Sequence, residues 1–296
     1  MTITQAMILG LVQGITEFLP ISSSGFLILI PEVFGWDVQS LAFDAFLHIA
    51  TLIAIVAALW TEVKAMSIAL FVPATDKESR HGLVCFDSLG RAQLDARFVS
   101  QSASWRRLAL WIVLATIPVL VIGFLMQEVF HKEFRSAEVV AWSFIVWGIV
   151  LYLVDQRVSR RSIMSDRTQL IATTSIGLKR AILIGLAQII ALIPGTSRSG
   201  ITITAGLATG LSRETAAKFS FLLAIPTIAA AGFLKLGQVA SGEATIELLP
   251  LVVGFTVALV SAFLTVRFLL KFLQRHTFSE FAIFRVLVGI AILLLL

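Results

Sequence analysis

Hydrophobic positions in this chain run in long unbroken blocks rather than in the alternating or one-in-three stripes of a water-soluble fold. Residues 43–60, 109–127, 139–155, 219–236, 248–266 and 278–296 are each apolar over a length that crosses a bilayer as a helix, which predicts six full spans. Two further apolar stretches are shorter and broken by polar residues. Residues 4–19 would form a helix of about 24 Å at ~1.5 Å per residue, against a hydrocarbon layer of roughly 30 Å. Pro20 ends it, because proline lacks a backbone donor and disfavours helix in the residue before it. Ser22, Ser23 and Ser24 then supply N-cap candidates for a second short helix over residues 25–34. Two half-length helices joined by a polar turn describe a re-entrant hairpin. The second half of the chain repeats the order: a short helix over 177–193, a turn over 194–199 and a short helix over 200–210. Residues 61–108 form a long polar, partly amphipathic segment, and the pattern gives it no further division.

The repetition reaches individual residues. Shifted by 175 positions, Gly10, Gln13, Ser22, Ser24 and Gly25 fall on Gly185, Gln188, Ser197, Ser199 and Gly200. Charge in the connecting segments tests how the two hairpins sit. Residues 61–107 hold seven Lys/Arg, 156–180 hold six and 267–275 hold three, whereas 237–247 hold none and 128–138 hold two against three Glu. If 177–210 crossed the membrane once, the basic 267–275 would fall outside and the uncharged 237–247 inside, against the positive-inside rule. If it returns to its own side, every loop agrees, and both termini lie outside. Each half is then one hairpin plus three spans, and because three is odd the second half enters from the opposite face. The predicted fold is therefore an all-α integral membrane protein of two inverted-topology repeats, each a re-entrant helical hairpin plus three transmembrane helices. It forms one polytopic domain over residues 1–296, with repeat one at 1–155, a connecting segment at 156–176 and repeat two at 177–296. In such folds broken helices meet near the bilayer midplane and build the ligand site, so the two polar turns should face each other.

Composition narrows the class further. With 58% hydrophobic residues and a mean hydropathy of +0.95, a soluble core of this size would leave too much apolar surface in water. The net charge of +5 would point to nucleic acid in a soluble protein, but the basic residues cluster in connecting segments, where they orient the chain in a membrane. A single cysteine, Cys85, excludes an intramolecular disulfide and a cysteine-based metal cluster. No basic residue precedes the first apolar run, so a cleaved signal peptide is not expected. Walker loops, dinucleotide fingerprints and zinc-type spacings are absent, and His81, His131 and His276 fall in loops.

The candidate chemistry lies in the two turns. Gln13 and Glu17 are four apart and share a helix face, so they can approach one ligand or metal. Ser22, Ser23 and Ser24 in the first turn, and Thr196, Ser197, Ser199 and Thr202 around the second, offer hydroxyls. Helix N-termini add backbone donors, and Arg198 adds a planar fork suited to phosphate oxygens. Glu17 alone would repel a phosphate. Its presence calls for a bridging divalent cation, a general-base role towards a serine or water, or an ion pair with Arg198. The serines serve either as ligands or as caps and interhelical glue. Asp44 and His48, also four apart, are either a second polar pair lining the cavity or a histidine bonded locally. Lys235, Arg267 and Arg285 are expected to anchor or snorkel at span ends.

With these residues in view, the chain resembles the undecaprenyl-diphosphate phosphatases associated with bacitracin resistance. The resemblance covers nearly the whole chain. It is most specific in Glu/Gln-x-x-x-Glu-Phe-Leu-Pro-x-Ser-Ser at residues 13–23 and in Pro-Gly-x-Ser-Arg-Ser-Gly at residues 194–200, and it extends to Leu211-Ser212-Arg213 and residues 219–226. It implies a bacterial inner-membrane hydrolase that removes the terminal phosphate of a C55 polyprenyl diphosphate, giving the monophosphate carrier of cell-wall synthesis. It also implies a pocket open to the periplasmic or outer face and a divalent cation, Mg2+ or Ca2+. Carried onto matching positions, it makes Glu17 and Gln13 the pair near the metal and Ser23 the candidate nucleophile. Arg198, Ser197 and Thr202 become diphosphate binders, with Ser22, Ser24 and Ser199 beside them. The residues themselves leave serine attack and metal-activated water both open. The expected partners are the polyprenyl diphosphate lipid and the membrane, with a homodimer as a further expectation and no nucleic acid. One departure stands out: the family carries Gly-His after the serine run, and this chain has Gly25-Phe26. Either that histidine is dispensable, or another group such as His48 substitutes, or activity is lowered or redirected. A polyprenyl-phosphate transporter and a catalytically silent lipid-binding paralogue are the competing readings, since paired re-entrant hairpins also build transporters.

Overall fold

Thr2 starts the first helix: its hydroxyl accepts from Gln5 N while the Gln5 side chain accepts from Thr2 N, a reciprocal capping box. The computed structural model describes residues 1–71, 84–86, 92–94, 96–134, 136–164, 173–240 and 247–295. The helices are α1 (Ile3–Thr16), α2 (Ser23–Phe34), α3 (Leu41–Ala58), α4 (Trp60–Phe71), α5 (Ala96–Glu133), α6 (Ala137–Met164), α7 (Leu178–Ala187), α8 (Arg198–Ala208), α9 (Arg213–Ala240), α10 (Leu248–Phe272) and α11 (Ser279–Leu295). A 3-10 segment, Gln188–Leu192, prolongs α7. A second 3-10 segment, Thr173–Ser175, and two three-residue antiparallel strands, β1 (Val84–Phe86) and β2 (Ala92–Leu94), are the other regular structure among the described residues.

Five helices are long and apolar enough to cross a membrane, making the chain a multi-pass membrane protein. They are α3, the stretch Ser102–Met126 of α5, Ala137–Ser159 of α6, Arg213–Gly237 of α9, and α10. They take in five of the six predicted spans. The sixth is α11, whose 17 residues reach about 25 Å. Phe124, Leu125, Leu264 and Leu287 on these helices are exposed, an apolar outer surface that lipid accommodates and water would not. The segment 61–108, undivided by the pattern, contains α4 and the first turns of α5. Arg106 Nε donates to Ala69 O at 2.9 Å, joining the two helices.

Both short hairpins appear. α1 stops at Thr16, before residue 19, because residues 17–20 already turn ahead of Pro20. α2 begins at Ser23 with Ser22 as N-cap, and α8 begins at Arg198 with Ser197 as N-cap. In packing, α1 lies along α10, α7 along α5, α3 between α9 and α10, and α6 against α11. Close approach requires glycine at two contacts. A Cβ on Gly10 would run into the Gly254 carbonyl oxygen, and one on Gly185 would run into that of Ala115. Phe18, just past α1, packs edge-on against Phe221 of α9 with ring centroids 5.6 Å apart, which seats the first turn on the core.

Candidate functional site

The site is built from two turns with the same unusual backbone. Ser22 has φ 79°, ψ 98° and Ser197 has φ 73°, ψ 112°, and among the described residues these are the two non-glycine positions at positive φ. A serine pays about 1–3 kcal/mol to stay there and persists only if its surroundings enforce it. In each case the hydroxyl accepts from the backbone N–H three residues on, Gly25 N at 3.4 Å and Gly200 N at 3.0 Å. Each hydroxyl also lies beside the serine two residues on, Ser24 at 3.3 Å and Ser199 at 3.1 Å. The turns open two helix N-termini, α2 and α8, each a source of free backbone donors and partial positive charge.

The turns are in contact. Ser199 Oγ donates to Leu19 O at 2.9 Å, and Arg198 Nη2 donates to Glu17 Oε1 at 2.9 Å, both across about 180 residues of sequence. The second Glu17 oxygen accepts from Ser23 Oγ at 2.6 Å and from Gln13 Nε2 at 3.1 Å. Arg198 Nη1 donates to Ser220 O at 3.3 Å. A cavity of about 210 Å³ opens onto this cluster, lined by Glu17, Ser22, Ser23, Ser24, His48, Gln188, Ser197, Arg198 and Thr227. An adjoining cavity of about 220 Å³ shares Ser24, His48 and Leu192 with it and adds Asp44, Gln39 and Lys235. A larger hollow of about 590 Å³ lies near Met1, Asp37 and Glu247 and holds neither serine turn nor an arginine.

Of the sequence-predicted residues, Gln13, Glu17, Ser23 and Arg198 form one bonded cluster, and Ser22, Ser24, Ser197 and Ser199 surround it. Thr202 stands behind: it donates to Arg198 O at 2.8 Å, lies 2.7 Å from Ser220 Oγ, and does not line the cavity. His48 lines both cavities, with Nδ1 2.7 Å from Asp44 O. The Asp44 carboxylate faces Lys235 Nζ at 3.8 Å instead of the histidine. Phe26 lines neither cavity; its ring packs on Phe144 and Phe284, with centroids 5.5 and 6.2 Å away.

Arg285 overturns the expectation of a span-end anchor. It is fully buried, and its guanidinium donates to the carbonyls of Pro20, Ser143, Gly195 and Thr196 at 3.3, 3.3, 2.9 and 2.8 Å. Pro20 belongs to the first turn, Gly195 and Thr196 to the second, so one cation holds both. The signal in the sequence was its place inside the last apolar block rather than at its edge. Lys235 pairs with Asp44 rather than snorkelling, and Arg267 lies 5.6 Å over the Phe263 ring. Sequence reasoning also missed Thr227, which accepts from Gln188 Nε2 at 3.3 Å, and the buried Asp155, which takes Arg213 Nε at 2.6 Å and Phe278 N at 3.0 Å. No sequence motif marks either residue.

The charges around the turns do not cancel. The Arg198 guanidinium and two helix N-termini gather around one carboxylate, so the site favours an anion with several oxygens. A hydroxyl held 2.6 Å from a carboxylate beside such a site can attack or position a phosphorus centre.

Comparison with known proteins matches almost the whole chain. The family described as Bacitracin resistance protein BacA matches residues 6–291. The undecaprenyl-diphosphatase of Colwellia psychrerythraea is 40% identical over 295 residues, covering 99% of this chain and 98% of that protein. Those of Pelotomaculum thermopropionicum and Alteromonas mediterranea are 38% and 37% identical, over 100% and 99% of this chain and 97% and 98% of their own lengths.

Proposed function

Because the chain belongs to the bacitracin resistance protein BacA family, we propose that it is an undecaprenyl-diphosphatase, a membrane hydrolase that releases inorganic phosphate from undecaprenyl diphosphate and leaves the monophosphate. The observation that carries this reading is the Ser23–Glu17–Arg198 cluster between two helix N-termini. Arg198 and the backbone donors of α2 and α8 would bind the phosphate oxygens, strengthening as charge shifts onto them in the transition state. Glu17 would take the proton of Ser23 Oγ as that oxygen attacks the terminal phosphorus. The P–O bond to the bridging oxygen then breaks, and the lipid monophosphate departs with the electron pair. Water hydrolyses the phosphoserine in a second step, giving inorganic phosphate and restoring Ser23.

The donor set fits a divalent cation of the Mg2+ or Ca2+ type. Gln13 Oε1 is buried without a hydrogen-bond partner beside Glu17, and a carboxylate has about four lone-pair sites, of which three donors use three. Among the described residues no group of three His, Cys, Asp or Glu could cage a metal, and Mg2+ characteristically takes one or two carboxylates together with substrate phosphates. Gln13 and Glu17 would hold the ion, which when bound neutralises charge on the phosphates.

The finer architecture belongs to the same proposal: two inverted-topology repeats, 1–155 and 177–296, with the cavity opening to the periplasmic face of the bacterial inner membrane. In its support, the Ser22 and Ser197 turns share one geometry, and the Gly10–Gly254 contact of α1 with α10 has its counterpart in the Gly185–Ala115 contact of α7 with α5. The positive-inside count supports the orientation. Phosphate release from farnesyl and undecaprenyl diphosphate by the purified protein tests the function. Release is expected without EDTA, lost with it, and restored by Mg2+ or Ca2+. Binding of the lipid with no release in any condition would refute a phosphatase and leave a transporter or a silent lipid binder.

A further inference from the structure

The two-step hydrolysis leaves one proton without an acceptor. After the first step Glu17 holds the proton of Ser23, and in the second step that proton must return to Ser23 Oγ as the phosphoserine breaks. The attacking water gives up a proton of its own at the same time, so a different group must receive it. Glu17 is also engaged on both oxygens, by Arg198 on one and by Gln13 and the proton taken from Ser23 on the other.

His48 lines the same cavity, on the wall formed by α3, and is the one histidine that does so among the described residues. Its Nδ1 lies 2.7 Å from Asp44 O, and a carbonyl oxygen has no proton to give, so Nδ1 carries the hydrogen and donates. In the neutral ring Nε2 is then an acceptor. It makes no hydrogen bond to the described residues and is not among their buried unpaired atoms, which leaves it open to the cavity. An imidazole with one nitrogen anchored to a fixed acceptor and the other presented to the reacting site is the arrangement used by general bases.

Resting on the phosphatase reading, we infer that His48 Nε2 accepts the proton of the water that hydrolyses phosphorylated Ser23. The water oxygen bonds to phosphorus, the bond from phosphorus to Ser23 Oγ breaks, and the proton on Glu17 returns to Oγ. The water proton passes to Nε2 and then to the departing phosphate or to solvent. The anchor on Asp44 O is a backbone atom, so the ring orientation depends on the helix and not on the charge of the Asp44–Lys235 pair.

The test uses the full-length protein in detergent with farnesyl diphosphate. His48→Gln should lower kcat by about 100-fold or more, the usual worth of a positioned base, with KM within about threefold. Farnesyl monophosphate should appear in a burst close to one equivalent before slow turnover, because only the second step is impaired. His48→Ala opens space at the same wall, and added imidazole should raise its rate at least tenfold. A His48→Gln enzyme turning over within about threefold of the parent, a slow enzyme with no burst, or a His48→Ala enzyme unmoved by imidazole would each overturn the inference. A parent enzyme that releases no phosphate would instead defeat the phosphatase reading itself, so the two failures are distinguishable.

Discussion

Replacing Arg285 with methionine removes one cation from a place where four backbone carbonyls depend on it. Methionine matches the length of the aliphatic stem and brings no donor. The two short bonds, to Gly195 O at 2.9 Å and Thr196 O at 2.8 Å, are charge-assisted and contribute about 1.5–3 kcal/mol each, while those to Pro20 O and Ser143 O at 3.3 Å contribute less. The loss is offset because a guanidinium with no carboxylate partner no longer has to be desolvated, and an apolar side chain keeps the packing on the Phe144 ring, over which the arginine sits at 5.8 Å. The balance should fall at about 3–5 kcal/mol of destabilisation, because buried carbonyls left without a donor cost about 1–3 kcal/mol each and the relieved desolvation offsets part of that. Turnover should fall by roughly 100-fold in the folded fraction, because Pro20 and Gly195 lose their common tether and Glu17 and Arg198 drift relative to each other. Arg285→Lys, with three donors on a compact head, should be intermediate. Denaturant unfolding in micelles, with phosphate release measured on the same samples, reads both effects. A methionine variant within about 1 kcal/mol of the parent and turning over within threefold would show that Arg285 does not hold the turns.

Three further outcomes are expected. Glu17→Gln keeps the shape but leaves one acceptor oxygen, for Arg198 or for Ser23, and loses the charge, so turnover should drop at least about 100-fold while stability falls by less than about 3 kcal/mol; near-normal phosphate release would remove Glu17 from the chemistry. Gly10→Val and Gly185→Val each push a branched side chain into a carbonyl of the facing helix and should each cost about 1–3 kcal/mol; thermal midpoints equal to the parent's would contradict the close packing. Asp155→Asn removes the charged partner of Arg213, and neither residue lines the cavity. It should cost about 3–5 kcal/mol with kcat per folded molecule unchanged, and a selective fall in kcat would assign Asp155 a role in turnover.

Much of the local structure was legible because its causes are local. Pro20, the serine caps and the length of each apolar block act within a few residues, so the hairpin helices and the five long spans overlap their predicted ranges, although α5, α9 and α10 run on past the predicted ends. The segment 61–108 was harder, since α4 and the early turns of α5 are held by contacts such as Arg106 to Ala69 O rather than by hydrophobic pattern. For Glu17 the residues allowed a metal ligand, a base or an ion-pair partner, and nothing local ranked these. Arg285 was misread because its environment is set by three other segments that lie between 89 and 265 positions away.

The sequence by itself determined that this is a membrane protein, where its chain turns back, and which polar residues are too costly in lipid to be idle, because hydropathy, proline and capping are properties of neighbouring residues. Only the tertiary structure decided that Glu17 meets Arg198 at 2.9 Å, that Arg285 is a buried clamp, that Phe26 turns away from the cavity and that His48 turns into it. Those are relations between helices far apart in the chain, and the packing of glycine against backbone, as at Gly10 and Gly185, sets them where no local preference can.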